Sequence, residues 1–418
     1  MAKFLAKPQR FIIRPAPGWI KLTITEVLHS LEFPLQSYKF KPIAMVEDGQ
    51  IVVSECDFRQ GMELTARVTT AHDIDWVLAS GRVSGRGEWV DWIEKSGLLE
   101  VFATPQNIDL MATVTHPVVG TEKDVKIIFR EYFEKSGHRC LTETKDAESL
   151  LQRLRVDCQK NRTRLLLSMG GEPLYKRGYK APMGGATAPL PEHHAAACFR
   201  WALDVLGGDL RRDLESGART LVIPFAGTGT TGFEAVCQLA HLAPGIIRKS
   251  FGFERWSFFP EATMATIRKR LNANIKESSI QVRFGDINTE AIAALHQHCD
   301  SFVAATGLAI MPSVFGNDFL AKPEELCAGL TKIFLPLNPP YGHRLAKDAG
   351  AAQIYERLGT SLVRLSRDVD ISGYIICPDE TSWLKVSNAL RRFKTETCHF
   401  SHGGNDTRLL AFATSSGE

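Results

Sequence analysis

The chain has 418 residues, of which 44% are hydrophobic and 23% charged, a composition that excludes a collagen, a wholly disordered chain and a short peptide. At roughly 100 to 200 residues per domain this length predicts two or three domains. Fifty Lys and Arg against 47 Asp and Glu leave a net charge of +3, so a nucleic-acid partner has to be met by a local basic patch.

Nine cysteines without a Cys-x-x-Cys pair point to a reducing compartment and to small core residues, not to disulfides or a zinc ribbon. The opening MAKFLAKPQRFIIRPAPG has too short an apolar run for a signal peptide, and no stretch is long and apolar enough to span a bilayer. The chain reads as cytoplasmic, without a membrane partner.

In chain order, residues Phe11 to Cys56 alternate short apolar runs with a helix-like TITEVLHSL, the cadence of a small α+β unit. A second unit follows. Its expected elements are helices over Asp73 to Leu78 and Trp89 to Lys95, a strand over Asp109 to Thr115, an amphipathic helix over Thr121 to Ser136 stopped by Gly137, and a strand over Arg164 to Ser168. Arg153, Arg155, Lys160, Arg162, Arg164, Lys176, Arg177 and Lys180 make the neighbouring stretch the most basic of the chain, with Tyr175 and Tyr179 interleaved. Such a run is either a solvated face or a phosphate-tracking RNA surface on which tyrosines stack.

The Pro, Gly and Ala-rich stretch Ala181 to His193 marks a domain boundary. Beyond it strands and helices alternate. Helices are expected over Ala195–Leu206, Thr231–Leu242, Pro260–Asn274, Glu290–Cys299, Ala352–Arg367 and Ser382–Arg392. Strands are expected over Thr220–Phe225, Phe251–Phe253, Gln281–Gly285, Ser313–Gly316, Ile333–Leu337, Tyr374–Cys377 and Arg408–Phe412. The alternation predicts an α/β domain with a mostly parallel sheet covered on both faces.

Two segments carry chemistry. Leu221 to Thr230 reads LVIPFAGTGT, a buried strand running into a glycine turn and a helix, where Gly227 and Gly229 let a ligand approach the backbone. The turn is read as lacking the dinucleotide fingerprint, and it has no Gly-Lys-Ser/Thr of a phosphate loop. The second is the strand Ile333 to Leu337, which ends in Asn338-Pro339-Pro340-Tyr341-Gly342. The lone pair of a nucleobase amine is delocalised into the ring. The Asn338 side-chain oxygen and a proline-fixed carbonyl, both accepting from that amine, would aim its lone pair at a methyl donor, while Tyr341 stacks on the base. His296, His298 and Cys299, and likewise Cys398, His399 and His402, lack zinc-site spacing, so no metal is expected.

Taken together, GGEPLYKRGYK, APLPEHHAAA, the PFAGTGT turn with GFEA, LAPG with GFERW, GDIN, the NDF segment and NPPYGHRL resemble one family. It is the class I S-adenosylmethionine-dependent RNA methyltransferases that carry an N-terminal THUMP domain and act on guanine N2. The likeness is to the N-terminal half of the bacterial large-subunit rRNA enzymes. It implies a ferredoxin-like α+β subdomain over residues 1–70, a THUMP-like RNA-binding domain over 71–175 and a Rossmann-like methyltransferase domain over 176–418. The cofactor it implies is S-adenosyl-L-methionine and the partner is structured RNA, large-subunit rRNA first and tRNA as the alternative. Pro189 and Glu192 would begin a helix closing over the cofactor, Phe225, Ala226, Gly227, Thr228, Gly229 and Thr230 would wrap its methionine end, and Pro224 and Asn338 are further cofactor-binding positions. Asp286 would bond the ribose, with Glu254 as rival. Asn317 and Asp318 would meet the adenine, and Asn338 to Tyr341 would hold the target base. The family usually has Asp where this chain has Ile223, the one feature that favours a non-catalytic RNA-binding protein as the reading from another class.

Overall fold

The computed structural model describes residues 5–102, 104–115, 117–141, 152–159, 162–180, 190–277, 279–308, 310, 312–340 and 349–414. Two compact units share the chain in alternating pieces. The first takes Met1–Pro15, Thr23–Lys176 and Arg248–Leu271, and the second takes Ala16–Leu22, Arg177–Ile247 and Asn272–Glu418.

The first unit is built on an eight-stranded sheet of β1 (Gln9–Pro15), β2 (Ile43–Glu47), β3 (Gln50–Cys56), β4 (Ala71–Gly81), β5 (Asn107–Val114), β6 (Arg139–Leu141), β7 (Gln152–Gln159) and β8 (Arg162–Ser168). Their order is β2-β3-β1-β4-β8-β7-β5-β6. β5 runs parallel to β6 and β7, and the remaining neighbours are antiparallel. Helices α1 (Ile20–Glu32), α2 (Phe58–Arg67), α3 (Trp89–Ser96) and α4 (Glu122–Lys135) accompany it. α4 starts where Thr121 and Asp124 cap each other's backbone, and it buries Val125, Phe129 and Phe133, spaced four apart on one face.

Two expectations for this unit fail. Asp73 to Leu78 is not helical: it lies inside the eleven-residue strand β4, paired on both sides by β1 and β8. Asp73 and Asp75 alternate with Ile74 and Trp76, and both aspartates are wholly buried, Asp75 against Arg14 of the adjacent β1 and Asp73 against Arg155 of β7, two strands away. Phe251 to Phe253 is not a strand but enters a single turn of 3-10 helix, Gly252–Arg255.

The second unit carries a seven-stranded sheet of β9 (Thr220–Ile223), β10 (Val282–Asp286), β11 (Ser313–Gly316), β12 (Lys332–Leu337), β13 (Asp370–Cys377), β14 (Lys394–His402) and β15 (Asn405–Ala413). Their order is β11-β10-β9-β12-β13-β15-β14. The first five are parallel, and the β14–β15 hairpin closes the edge antiparallel to β13. Side chains alternate between two cores, as a strand's period of two requires. Leu221, Ile223, Phe284 and Phe334 face one core with α5 (Glu192–Leu206), α6 (Thr230–Leu239) and α7 (Thr289–Thr306). Val222, Ile333, Leu335 and Leu337 face the other with α8 (Ala349–Leu365) and α9 (Glu380–Ala389). This is an open, doubly wound α/β sheet of Rossmann-like architecture.

From β9 the chain moves outward through β10 to β11, then returns to lay β12 on the other side of β9. Strand order therefore reverses between β9 and β12, where an open α/β sheet leaves a crevice at its carboxyl edge. Seven of the nine cysteines are buried, and burial pushes the Cys198 and Cys237 thiols well up, so they pack as inert core groups. Among the described residues no helix is long and apolar enough to cross a membrane.

Candidate active site

The carboxyl ends of four adjacent parallel strands bring the second unit's sequence-derived residues together. β9 delivers the turn Pro224 to Gly229, β10 ends at Asp286, β11 is followed by Asn317 and Asp318, and β12 by Asn338, Pro339 and Pro340. The turn is tied to β10 twice: the Ala226 amide donates to the Gly285 carbonyl at 3.0 Å and the Gly227 amide to Asp286 Oδ2 at 2.8 Å. Asp286 Oδ1 accepts from the Asn288 amide at 2.9 Å, and the Asp286 carbonyl from the Asn317 amide at 3.0 Å. Each carboxylate oxygen keeps a lone pair, so Asp286 can still accept from a ribose hydroxyl.

Glycine is required where the backbone is left-handed or crowded. Gly227 and Gly229 have φ of 50° and 85°. A Cβ on Gly227 would meet nothing within 4 Å, so that side of the turn is open to a ligand. A Cβ on Gly232 would lie 2.3 Å from the Phe284 ring, so α6 packs on β10 only because Gly232 has no side chain. Gly227, Gly229 and Gly232 stand in Gly-x-Gly-x-x-Gly spacing, which corrects the sequence reading: the nucleotide-binding fingerprint is present.

Two buried side-chain oxygens, Asn317 Oδ1 and Asn338 Oδ1, have no hydrogen-bond partner among the described residues. Leaving a buried acceptor unmet costs about 1–3 kcal/mol, and at the carboxyl edge of the sheet these two oxygens can accept from a donor outside the chain. Asn317 is otherwise pinned by its Nδ2 donating to the Lys322 carbonyl at 3.3 Å. Asp318 Oδ1 accepts from the Leu320 and Ala321 amides at 3.1 and 3.2 Å, shaping the turn after β11. The Phe225 and Phe319 rings meet edge to face at 6.1 Å, joining the glycine turn to that segment. Pro189, Tyr341 and the remainder of NPPYGHRL lie outside the described residues, as does Lys160.

The basic residues are used differently from the sequence expectation. Arg177 is 2% exposed, its guanidinium 3.4 Å from Glu234 Oε1, while the Tyr179 hydroxyl donates to the same oxygen at 2.8 Å. Burial pushes the Glu234 carboxyl and the Tyr179 phenol upward. Arg177 is therefore a core ion-pair partner and cannot touch RNA. Lys180 Nζ sits 2.8 Å from Glu192 Oε1, at the first residue of α5, and donates to Thr230 Oγ1 at 2.6 Å. Arg153 is held by Asp109 at 3.0 Å, Arg155 by Asp73 at 2.8 Å and Asp75 at 3.3 Å, and Arg164 by Asp157. Only Arg162 and Lys176 of the described set are exposed, the latter pairing with Glu172 at 3.0 Å.

Other residues fall into place by contact. Glu254, the rival for the ribose, sits on the 3-10 turn of the first unit and is paired with Arg268 at 2.6 Å. Ile223 is buried, with Cδ1 3.2 Å from where a Gly232 Cβ would be. His298, passed over in the sequence, places Nδ1 3.1 Å from the Thr228 carbonyl and braces the turn from α7. No local pattern signals that role, because the two residues meet only through the sheet. Among the described residues no group of three His, Cys, Asp or Glu could hold a metal ion.

No protein-family model matches the chain. The ribosomal RNA large subunit methyltransferase K/L of Shewanella sp. (strain W3-18-1) is 28% identical over 260 residues, 59% of this chain and 34% of the relative. Its namesake from Allochromatium vinosum is 34% identical over 215 residues, 50% of this chain and 27% of the relative. The chain thus spans about a third of the length of the curated relatives it matches. Among solved structures, SMU.472, described as "a putative methyltransferase complexed with SAH", superposes with a TM-score of 0.72 at 17% identity over 99% of this chain and 100% of that one. A Listeria monocytogenes chain described as a "predicted N6-adenine-specific DNA methylase" gives 0.73 at 18% identity, covering 100% and 99%. TrmN from Thermus thermophilus gives 0.61 at 16%, covering 97% and 100%. At these identities the shared property is the fold.

Proposed function

We propose that the protein is an S-adenosylmethionine-dependent RNA methyltransferase that modifies the exocyclic N2 amine of a guanosine in large-subunit rRNA. The observation that carries this reading is the position of Asn338 at the carboxyl end of β12, its buried Oδ1 without a hydrogen-bond partner among the described residues, one strand from a Gly-x-Gly-x-x-Gly turn tied to an acidic residue. The likeness to rRNA large subunit methyltransferases K/L supports rRNA as the substrate class. The joint presence of NPPYGHRL and YKRGYK supports the N2 position of guanine.

The residues present fit the donor. Pro224 to Thr230 would hold its methionine end, Asp286 its ribose, and Asn317 and Asp318 its adenine, with Glu192 at the mouth of the turn. Bound donor supplies a methyl group on a sulfonium, a good leaving group. Asn338 and a carbonyl of the proline run accept the two amine hydrogens and turn the nitrogen lone pair out of the ring plane. This is positioning, and it needs no general base in the transition state, since the surplus proton is lost afterwards. The first unit would grip RNA in the manner of a THUMP domain, with Arg162 and Lys176 among its contacts.

The test is label transfer. rRNA and tRNA from a deletion strain are incubated with the protein and methyl-labelled donor, then digested to nucleosides. Label in N2-methylguanosine from large-subunit rRNA is expected. Label in N6-methyladenosine overturns the base, label confined to tRNA overturns the RNA, and no label together with no donor binding favours a non-catalytic RNA-binding protein.

A further inference from the structure

The amino-acid end of a methionine-based donor carries an α-ammonium and an α-carboxylate. Selecting it over a plain adenosine thioether takes one anion and one cation held at fixed positions beside the turn. Ile223, at the end of β9, is buried and apolar and cannot accept from an ammonium. Beside the turn stands a different pair. Lys180 Nζ lies 2.8 Å from Glu192 Oε1 and 2.6 Å from Oγ1 of Thr230, the residue that ends the turn and begins α6. Among the described residues these two bonds use two of the three hydrogens of the ammonium and one oxygen of the carboxylate, leaving one donor and one acceptor group. Both side chains are shielded yet reachable, at 17% and 14% exposure.

The lysine is also pre-positioned. Tyr179, its neighbour, bonds Glu234 at 2.8 Å, and Arg177 pairs with the same carboxylate. Thr230 and Glu234 are one helical turn apart on α6, so the segment Arg177 to Lys180 is fastened to that helix at two successive turns. An ammonium held this way loses little freedom on meeting a ligand.

We propose that Lys180 and Glu192 together recognise the zwitterionic end of the donor, Lys180 taking the α-carboxylate and Glu192 the α-ammonium. The inference rests on the reading of the glycine turn as the donor site. It moves Lys180 from the RNA surface to donor selection, and it replaces the aspartate absent at Ile223 with a carboxylate from α5.

Calorimetry on the full chain with two probes tests it: S-adenosylhomocysteine, and 5′-deoxy-5′-methylthioadenosine, which keeps the nucleoside and sulfur but lacks the amino acid. The wild-type chain is expected to prefer the first. Lys180→Met and Glu192→Gln should each weaken it by about 10- to 100-fold, with the second changed by less than about twofold, the range for loss of a charge-assisted hydrogen bond. Lys180→Arg should recover part of the preference, and thermal unfolding reports whether each variant is folded. Unchanged preference in folded Lys180→Met overturns the inference, as does equal weakening of both probes, which would mean that the lysine only shapes the turn. A wild-type chain that binds neither probe overturns the donor-site reading and the inference with it.

Discussion

The backbone amide of Gly227 donates to Oδ2 of Asp286 at 2.8 Å, joining two adjacent strand ends that lie 59 residues apart in the chain. One carboxylate thus shapes the turn and faces the proposed ribose position. Asp286→Ala should raise the dissociation constant for S-adenosylhomocysteine by about 10- to 100-fold, corresponding to roughly 1.5–3 kcal/mol for a charged hydrogen bond. Calorimetry on the folded variant measures it, and an unchanged constant would remove Asp286 from the donor site.

Asn338→Ala separates chemistry from donor binding. Its side chain is assigned to the target amine, so single-turnover methyl transfer should fall by about 100-fold or more while the donor dissociation constant stays within about threefold. Asn338→Asp keeps an acceptor oxygen but adds charge, and is expected to retain more activity than the alanine. Near-normal transfer by Asn338→Ala would end the amine-positioning mechanism.

Arg177 and Lys176 are adjacent basic residues with opposite expected behaviour. Arg177→Met strands Glu234 as a buried, unpaired carboxylate and should cost about 3–5 kcal/mol, measured as a drop in the denaturant midpoint. Lys176→Met, on an exposed pair, should change stability by less than about 1 kcal/mol. If RNA binding is then measured against salt, Lys176→Met should flatten the dependence.

His72 makes the first unit acid-sensitive. Burial first, and then Arg155, Arg153 and Arg14, push its imidazole down to about 4. Unfolded, the same ring titrates near 6.5, so between these values the unfolded chain binds a proton that the folded chain refuses. The stabilisation is complete above about pH 6.5 and is lost as pH falls toward 4, amounting to no more than about 3 kcal/mol. His72→Phe should lose less stability than wild type between pH 7 and 4.5 in denaturant titrations, and an equal loss would place the ring in solvent.

The parallel sheet, and the gathering of the glycine turn, Asp286, Asn317 and Asn338 at its carboxyl edge, were legible because both depend on local text. Strands such as Ile333 to Leu337 are apolar and short, and functional residues of an open sheet must follow a strand's carboxyl end. Two of the misread segments, Asp73 to Leu78 and the basic stretch from Arg153 to Arg164, share one cause, charged residues buried in a sheet. Asp73 and Asp75, and likewise Arg153, Arg155 and Asp157, alternate with apolar neighbours at a period of two, yet charge suggested surface. Their partners lie on strands up to 82 residues away, so neutralisation was invisible in either segment alone. The same applies to Arg177 and Lys180, whose acids Glu234 and Glu192 belong to helices that only the fold brings near. Gly232 needed the structure for another reason, since its value lies in contact with Phe284.

The alternating pieces of the two units constrain the order in which the protein can be made. Arg248–Leu271 belongs to the first unit, so that unit lacks part of itself until residue 271 has left the ribosome, by which time Ala16–Leu22 and Arg177–Ile247 of the second unit have emerged and Asn272–Glu418 has not. Trp19, near the start, waits longer still: it is 3% exposed in a core shared with Leu409 and Ala411, and its indole donates to His194. The first unit has all its pieces once residue 271 has emerged, whereas the second waits for strands that end near residue 413, so the first should acquire stable structure before the second, and a fragment ending after residue 271 should carry the whole first unit together with an unfinished piece of the second.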